Sequence, residues 1–201
     1  MNKLIWFTTS AILFLVFLFP AVLAFGIKLI PNGDQPGYIS DQRLGVYGIR
    51  DISQKFTSEK ANLSAIGTSV RNPNLQNKKD ITLTLFDEKM NIVRTTTING
   101  RNVEDGNFIK FVFDPIPDSK NKTYIFTLAS PDAGPGETIE IFYIENDRPG
   151  QTMPSWIVEY TYDKKVHNGG LPITLYFKPV SKMDVIKEIY GDLFLRLLSN
   201  R

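Results

Sequence analysis

The chain has 201 residues, of which 42% are hydrophobic and 22% charged, and its formal charge is +2 at pH 7. This composition is ordinary for a globular domain and argues against disorder. The small charge, with no run of five basic residues, argues against nucleic acid as a partner. Because the chain contains no cysteine, disulfides, thiol nucleophiles and cysteine metal sites are excluded.

The chain begins with a long apolar stretch, LIWFTTSAILFLVFLFPAVLAFGI, at residues 4–27. A helix of this length, at about 1.5 Å per residue, crosses a hydrocarbon core of about 30 Å. Lys3 before the stretch favours a cytoplasmic N-terminus and an exported remainder. We therefore expect a signal anchor over residues 1–30, a single membrane pass, and an extracytoplasmic bulk. The alternative is a signal peptide cleaved near residues 21–24, which would make the protein secreted.

The segment that follows, PNGDQPGYISDQR at residues 31–43, is rich in Pro, Gly and Asn and is typical of a linker. After it, apolar residues alternate with polar ones, which is the period of a half-buried strand. The clearest such runs are ITLTLF, TYIFTL, TIEIFYIE, WIVEYTYD and PITLYF. Turn-forming residues separate them. The pattern predicts an all-β domain over residues 44–180, an antiparallel, jelly-roll-like β-sandwich of about nine strands.

The stretch FVFDPIPDSKNKTYIFTLASPD, residues 111–132, poses the question of a turn or a site. Two alternating runs flank PIPDSK. Pro115 and Pro117 are expected to end the first strand, because proline cannot donate to a sheet ladder. Asp118 and Ser119 are residues that hydrogen-bond to backbone amides in turns. We interpret PIPDSK as a turn between strands.

The last segment, residues 181–201, changes to helical spacing and predicts an amphipathic helix. Ser181 and Asp184 fit an N-terminal cap. The helix can pack on the sandwich, lie in the membrane interface, or bind a protein partner. Its apolar stripe, the candidate partner or membrane-interface site, consists of Ile186, Ile189, Tyr190, Leu193, Phe194 and Leu197.

Catalytic patterns are weak in this sequence. His167 is the single histidine and falls in a turn, and there is no phosphate-binding glycine loop. We therefore expect no catalysis and no cofactor. The acidic residues of the loops keep open a small hydrolase with two facing carboxylates, or a bound structural calcium ion. The calcium candidates, which lack regular ligand spacing, are Asp105, Asp114, Asp118, Asp132 and Glu137.

Aromatic side chains offer a candidate binding site. Trp156, Tyr160 and Tyr162 share one face of a predicted strand. An exposed row of such rings would stack on sugar rings while its polar atoms bond to hydroxyls. The alternative is that this face is the core of the sandwich, which also favours large rings.

Three sequence segments resemble those of a known class of protein: DISQKFTSEKANLSAIGTSVRNPN, FVFDPIPDSKNKTYIFTLASPD and LPITLYFKPV. Together with the terminal helix, they resemble jelly-roll, carbohydrate-binding-like ectodomains of bacterial membrane proteins associated with glycosyltransferases and envelope polysaccharides. The phrase PIPDSKxKxY is the most specific part, and no catalytic residue accompanies it. The resemblance implies recognition of a glycan at the cell envelope.

The sequence thus predicts a membrane-anchored, extracytoplasmic, non-catalytic module that binds a glycan or glycoconjugate. One alternative is a scaffold or accessory subunit of a membrane protein assembly, engaged through the terminal helix and a sheet face. A second alternative is the small hydrolase.

Overall fold

A computed structural model describes residues 2–33, 36, 42–145 and 153–199. It divides the chain into two compact units. One consists of Met1–Ile30 and Lys178–Arg201, and the other of Pro31–Phe177. Most of the predicted linker lies outside the described residues.

The first unit contains a long N-terminal helix, built from α1 (Asn2–Leu13), a π-helical turn (Phe14–Leu18) and α2 (Phe19–Gly26). Within Lys3–Gly26 an 18-residue window has a mean hydropathy of 2.3. The π-helical turn lies just before Pro20, which has no N–H to donate to the carbonyl of Val16 four residues earlier. Such a helix is long and apolar enough to span a membrane, and a signal sequence has the same properties.

The same unit contains α3 (Lys182–Ser199), where the sequence predicts the amphipathic helix. The ammonium of Lys182 donates to the carbonyls of Ala24, Phe25 and Ile27 at 3.2, 3.0 and 3.1 Å. Eight residues further on, the hydroxyl of Tyr190 donates to the Val16 carbonyl at 2.9 Å. The helix α3 therefore runs antiparallel to the N-terminal helix, and Tyr190 supplies the donor that Pro20 lacks.

The second unit is mostly β. Its strands are β1 (Ile30–Pro31), β2 (Arg43–Val46), β3 (Ile52–Thr57), β4 (Leu63–Arg71), β5 (Asp80–Asp87), β6 (Ile92–Asn99), β7 (Phe108–Ile116), β8 (Thr123–Ala129), β9 (Ile139–Phe142), β10 (Ile144–Glu145), β11 (Ile157–Tyr162), β12 (Lys165–His167), β13 (Gly169–Gly170) and β14 (Ile173–Phe177).

These strands form three sheets. The first has the order β1-β14-β4-β9-β2, with β7 also paired to β4, and the second has the order β12-β11-β3-β8-β5-β6. Strands β10 and β13 form a small third sheet. The strands β2 to β14 pair with one another in antiparallel orientation.

The predicted count of about nine strands is not confirmed, because the described residues contain fourteen. One cause is a turn at Tyr47–Arg50, closed by paired backbone bonds of 3.1 and 2.9 Å, which divides a run that reads as one strand. Another is the break between β9 and β10 at Tyr143. Strands of two or three residues are too short to show a period.

The two larger sheets contribute side chains to one buried hydrophobic cluster. In β5 the buried residues are Ile81, Leu83 and Leu85, with less buried threonines between them. Leu83 pairs with Leu128 of β8 and Leu85 with Phe126. The period-two alternation therefore marks the residues of the core, as the sequence predicts.

Candidate functional site

A cleft of about 490 Å³ lies between the β5–β6 turn and the β7–β8 turn, beside the PIPDSK phrase. Its size is within the range of small-ligand pockets. Its lining combines charged and amide side chains with apolar ones: Asp87, Glu88, Lys89, Asn91, Val93, Ile116, Asp118, Asn121, Lys122, Thr123 and Tyr124. We call it the turn cleft.

One wall of the turn cleft is fixed by Asp87. Its carboxylate accepts hydrogen bonds from the Lys89 and Asn91 backbone amides at 2.9 and 2.8 Å and from the Asn91 side chain at 2.9 Å. The Asn91 side-chain bond is the main reason that the pKa of Asp87 lies below its usual value. Asp87 is therefore a carboxylate at neutral pH, and its oxygens hold its own turn.

The opposite wall is the PIPDSK turn. Some of its hydrogen bonds go to residues 58–63, which are distant in sequence. The buried Ser119 hydroxyl accepts from the Leu63 amide at 3.1 Å and donates to the Lys60 carbonyl at 2.9 Å. The Asn121 amide donates to the Ser58 carbonyl at 2.7 Å. The turn interpretation thus holds: the Ser119 backbone bonds to Ile116 and Lys122 within the turn, and its hydroxyl bonds to a neighbouring loop.

Pro115 differs from expectation, because it lies inside β7, which ends at Ile116. The register between β4 and β7 shifts at this point: Ala65 pairs with Val112, and Leu63 pairs with Ile116. A bulge accommodates a residue that cannot donate to the ladder. Pro115 therefore shapes the entrance of the turn without ending the strand.

Asp118 and Lys122 form an ion pair across the PIPDSK turn. The hydrogen bond from Lys122 is the main cause that lowers the pKa of Asp118, and the same bond raises the pKa of Lys122. Both groups are charged at neutral pH. Since a general acid must hold its proton at working pH, Asp87 and Asp118 do not fit that role.

The turn cleft is therefore amphipathic. Val93, which is partly exposed, and the small exposed edges of Ile116 and Tyr124 (5% and 3%) form its apolar floor, while Asn121 and Lys122 at its rim are exposed. A rim of amides and charges donates and accepts hydrogen bonds, and an apolar floor contacts C–H groups. This combination suits a ligand that carries many hydroxyls on an apolar ring.

The aromatic residues singled out in the sequence lie elsewhere. Trp156 and Tyr160 are in the core at 3% and 1% exposure, and Tyr160 stacks on His167 at 5.0 Å between ring centroids. Tyr162 is partly buried, and its hydroxyl donates to the Gly45 carbonyl at 2.9 Å. Because the rings of Trp156 and Tyr160 are enclosed by the core, they do not form an exposed row.

Burial raises the pKa of Tyr160 to about 12, whereas an exposed phenol titrates near 10. Above pH 10 the unfolded chain therefore loses a proton that the folded chain keeps, and stability falls until about pH 12. We expect chemical denaturation to show this loss, on the order of 2 kcal/mol, in the native chain. Tyr160→Phe is the control, since it lacks the phenol. Identical pH profiles of the two proteins would contradict the assignment.

An aromatic pair lies on the outer face of the first sheet, formed by the exposed Phe108 and the partly buried Tyr176 at 6.5 Å between centroids. The ammonium of Lys110 lies 3.9 Å from the centre of the Tyr176 ring. Phe108 lies over Gly67, where a Cβ atom would overlap its ring. The sequence signal was a glycine inside a strand, which often marks close approach by another group.

The predicted stripe of the terminal helix is described only in its first half. Ile186, Ile189 and Tyr190 are partly buried, and Val185, which the stripe omitted, is buried at 1% exposure. The side chains of Leu193, Phe194 and Leu197 lie outside the described residues.

The predicted calcium candidates do not converge. Asp105 accepts from Arg71 at 2.6 and 2.8 Å, and Glu137 accepts from the Gly134 amide at 3.1 Å. Within the described part of the chain, no three acidic or histidine side chains come together as a metal site.

Comparison with known proteins identifies no family. No family model matches the chain, and no curated protein matches it. A solved structure, the enzymatically active domain of tailspike protein 4 from bacteriophage CBA120, aligns with a TM-score of 0.31 and 15% identity. The alignment covers 67% of this chain and 17% of the tailspike chain.

Proposed function

We propose that this protein is a membrane-anchored, extracytoplasmic, non-catalytic module that binds a glycan or glycoconjugate of the cell envelope in the turn cleft. The observation that carries the proposal is the amphipathic lining of that cleft, with the exposed Asn121 and Lys122 at the rim and the partly exposed Val93 on the apolar floor. A sugar ring presents hydroxyls at its edge and C–H groups on its face, which match the rim and the floor.

Membrane anchoring is supported by the surface of the N-terminal helix. Trp6 and Phe7 are exposed at 75% and 74%, and Phe25 at 73%. An apolar surface of this extent is unfavourable in water and favourable in lipid. The hydroxyls of Thr8 and Thr9 donate to carbonyls one turn back at 2.8 to 2.9 Å, so they enter lipid already bonded. On this basis the helix is a retained, single-pass signal anchor.

A jelly-roll-like sandwich is our interpretation of the two six-stranded sheets. It is supported by the single buried cluster to which both sheets contribute. In such a fold the turns at one end of the sheets form the natural place for a ligand, since loops vary while the strands hold them. The turn cleft is formed by two such turns, β5–β6 and β7–β8.

The proposal is tested with the full chain in mild detergent, by affinity electrophoresis in gels that contain bacterial envelope polysaccharides. The variant Asn121→Gly/Lys122→Ala removes an amide and an ammonium from the rim. Glycine is chosen at position 121 because Asn121 has a φ of 59°, which glycine adopts without strain. We expect about tenfold weaker binding to the retarding glycan, as is usual when charge-assisted hydrogen bonds are lost.

Lys120→Ala is the matched control, because Lys120 is exposed in the same turn but does not line the cleft. It is expected to bind like the native chain. Equal retardation of the native chain and the folded double variant by every glycan would contradict the proposal. So would the absence of retardation in the native chain.

A second candidate function is that of an accessory subunit of a membrane assembly, engaged through the outer face of the first sheet. It is favoured by the exposed apolar residues of β7, where Phe108 and Val112 are 41% and 54% exposed. Apolar and aromatic residues on an otherwise polar face are typical of protein interfaces.

A further inference from the structure

A second cavity, of about 320 Å³, lies within the first unit, where the N-terminal helix ends and α3 begins. It is lined by Ile27, Lys28, Lys178, Pro179, Val180, Ser181 and Lys182. We call it the lysine pocket. Its walls come from two segments distant in sequence that meet at the end of the apolar helix.

The charges that line the lysine pocket are all positive. Lys28, Lys178 and Lys182 are exposed, and no acidic residue is part of the lining. The nearest carboxylate along the chain, Asp184, accepts from the Ser181 amide at 3.0 Å and from its hydroxyl at 2.9 Å. That carboxylate forms the N-terminal cap of α3. The pocket therefore gathers three ammonium groups without an acidic partner in its walls.

Lys182 is held in position by its three bonds to the carbonyls at the end of the N-terminal helix. A cation at a helix C-terminus is stabilised by the partial negative charge of those carbonyls. Lys28 and Lys178 lie on the rest of the wall, where neither forms a salt bridge among the described residues. Lys182 thus connects the two helices, and the other two lysines are placed to bind an anion.

Apolar residues complete the lining. Ile27 is the residue directly after α2, and Val180 is 84% exposed. A lysine pair beside exposed apolar side chains suits a ligand that has an anionic group joined to a hydrocarbon part. The end of a spanning helix lies at the level of the lipid headgroups.

We propose that the lysine pocket binds the phosphate-bearing headgroup of an anionic phospholipid. The ammonium groups of Lys28 and Lys178 contact the phosphate, and Ile27 and Val180 contact the glycerol and the first acyl carbons. This proposal rests on the anchoring of the N-terminal helix in a membrane and is independent of glycan binding in the turn cleft. The pocket recognises a phosphate group, and the molecule that carries this phosphate is a lipid.

The test is native mass spectrometry of the full chain, extracted in detergent containing phosphatidylglycerol and phosphatidylcholine at equal mole fractions. We expect the native chain to retain phosphatidylglycerol about fivefold over phosphatidylcholine. The double variant Lys28→Gln/Lys178→Gln is expected to lose that preference. Lys182 is left unchanged, since its substitution would also remove the contact between the helices. Lys120→Gln/Lys165→Gln, an equal loss of charge from the other unit, is the control and should retain the preference.

Equal retention of both lipids by the native chain would overturn the proposal, and so would a preference that survives the Lys28/Lys178 change. A second arm adds inorganic phosphate to the lipid-free chain. Phosphate adducts without any preference between the lipids would identify a free-anion site and overturn the lipid assignment. Extraction of the chain from membranes by alkaline carbonate would refute the anchoring itself, whatever the result with glycans.

Discussion

Replacement of Asn72 by alanine is expected to lower the free energy of unfolding by about 3 to 5 kcal/mol. Asn72 is fully buried. Its Nδ2 donates to the carbonyls of Asn77, Gly100 and Val103 at 3.2, 3.1 and 2.9 Å, and its Oδ1 accepts from the Asn77 amide at 2.9 Å. One side chain therefore bonds to backbone groups of two loops, its own and the loop between β6 and β7. Alanine would remove a partner from each of these buried groups, of which the Gly100 carbonyl keeps its bond from the Val103 amide.

The measurement is chemical denaturation of the full chain in mild detergent, followed by tryptophan fluorescence. Trp156 is buried in the β unit and reports on its core. Asn102→Ala is the matched control, because Asn102 is exposed in the same group of loops. It is expected to change stability by less than about 0.5 kcal/mol. A change of that small size in Asn72→Ala would show that these bonds contribute little.

The second large effect is expected at the contact between the N-terminal helix and α3. Lys182→Met keeps a similar aliphatic length but removes the donor to three carbonyls. Tyr190→Phe removes a donor to the Val16 carbonyl, which Pro20 leaves without its usual backbone partner. In an apolar environment an unpaired carbonyl is unfavourable. We expect the double variant to detach α3 from the N-terminal helix.

Hydrogen exchange of the α3 amides measures this effect. In the double variant, exchange over residues 183–199 is expected to be faster by about ten- to a hundredfold, because local opening becomes easier. Lys187→Met, which removes an exposed lysine of the same helix, is the control and should exchange like the native chain. Unchanged exchange in the double variant would contradict the role of these two contacts.

The sequence allows the β content and the two helices to be predicted because those features depend on local periodicity. Alternation marked the buried residues of β5 and β8, and the change to helical spacing marked α3. The same periodicity cannot locate a turn inside a run of apolar residues, as at Tyr47–Arg50. It also cannot show that a bulge admits Pro115 into β7.

The candidate site was predicted less well, for a physical reason. A period of two separates two faces of a strand but does not identify which face is covered by a second sheet. The sequence therefore leaves open whether Trp156 and Tyr160 form a binding row or belong to the core, and the structure places them in the core. The turn cleft depends on two turns about thirty residues apart in sequence, and the proximity of Asp87 to Asp118 requires the pairing of β5 with β8.

The contact between Tyr190 and Val16 is another feature that the sequence alone does not predict. The sequence contains both parts of the signal, a proline inside an apolar helix and a tyrosine in the stripe of a second helix. Only the antiparallel packing of α3 on the N-terminal helix brings the hydroxyl to the Val16 carbonyl, to which Pro20 cannot donate. Long-range pairing of this kind is not encoded in a local period.

The most direct test of glycan binding in the turn cleft is amide chemical-shift mapping of the full chain in detergent micelles. The chain is titrated with oligosaccharides from a polysaccharide that retards it. We expect the largest shifts on residues 88–91 and 118–124, the two turns that line the cleft. Shifts concentrated on β11, around Tyr160 and Tyr162, or on the outer face around Phe108 and Tyr176, would contradict this expectation.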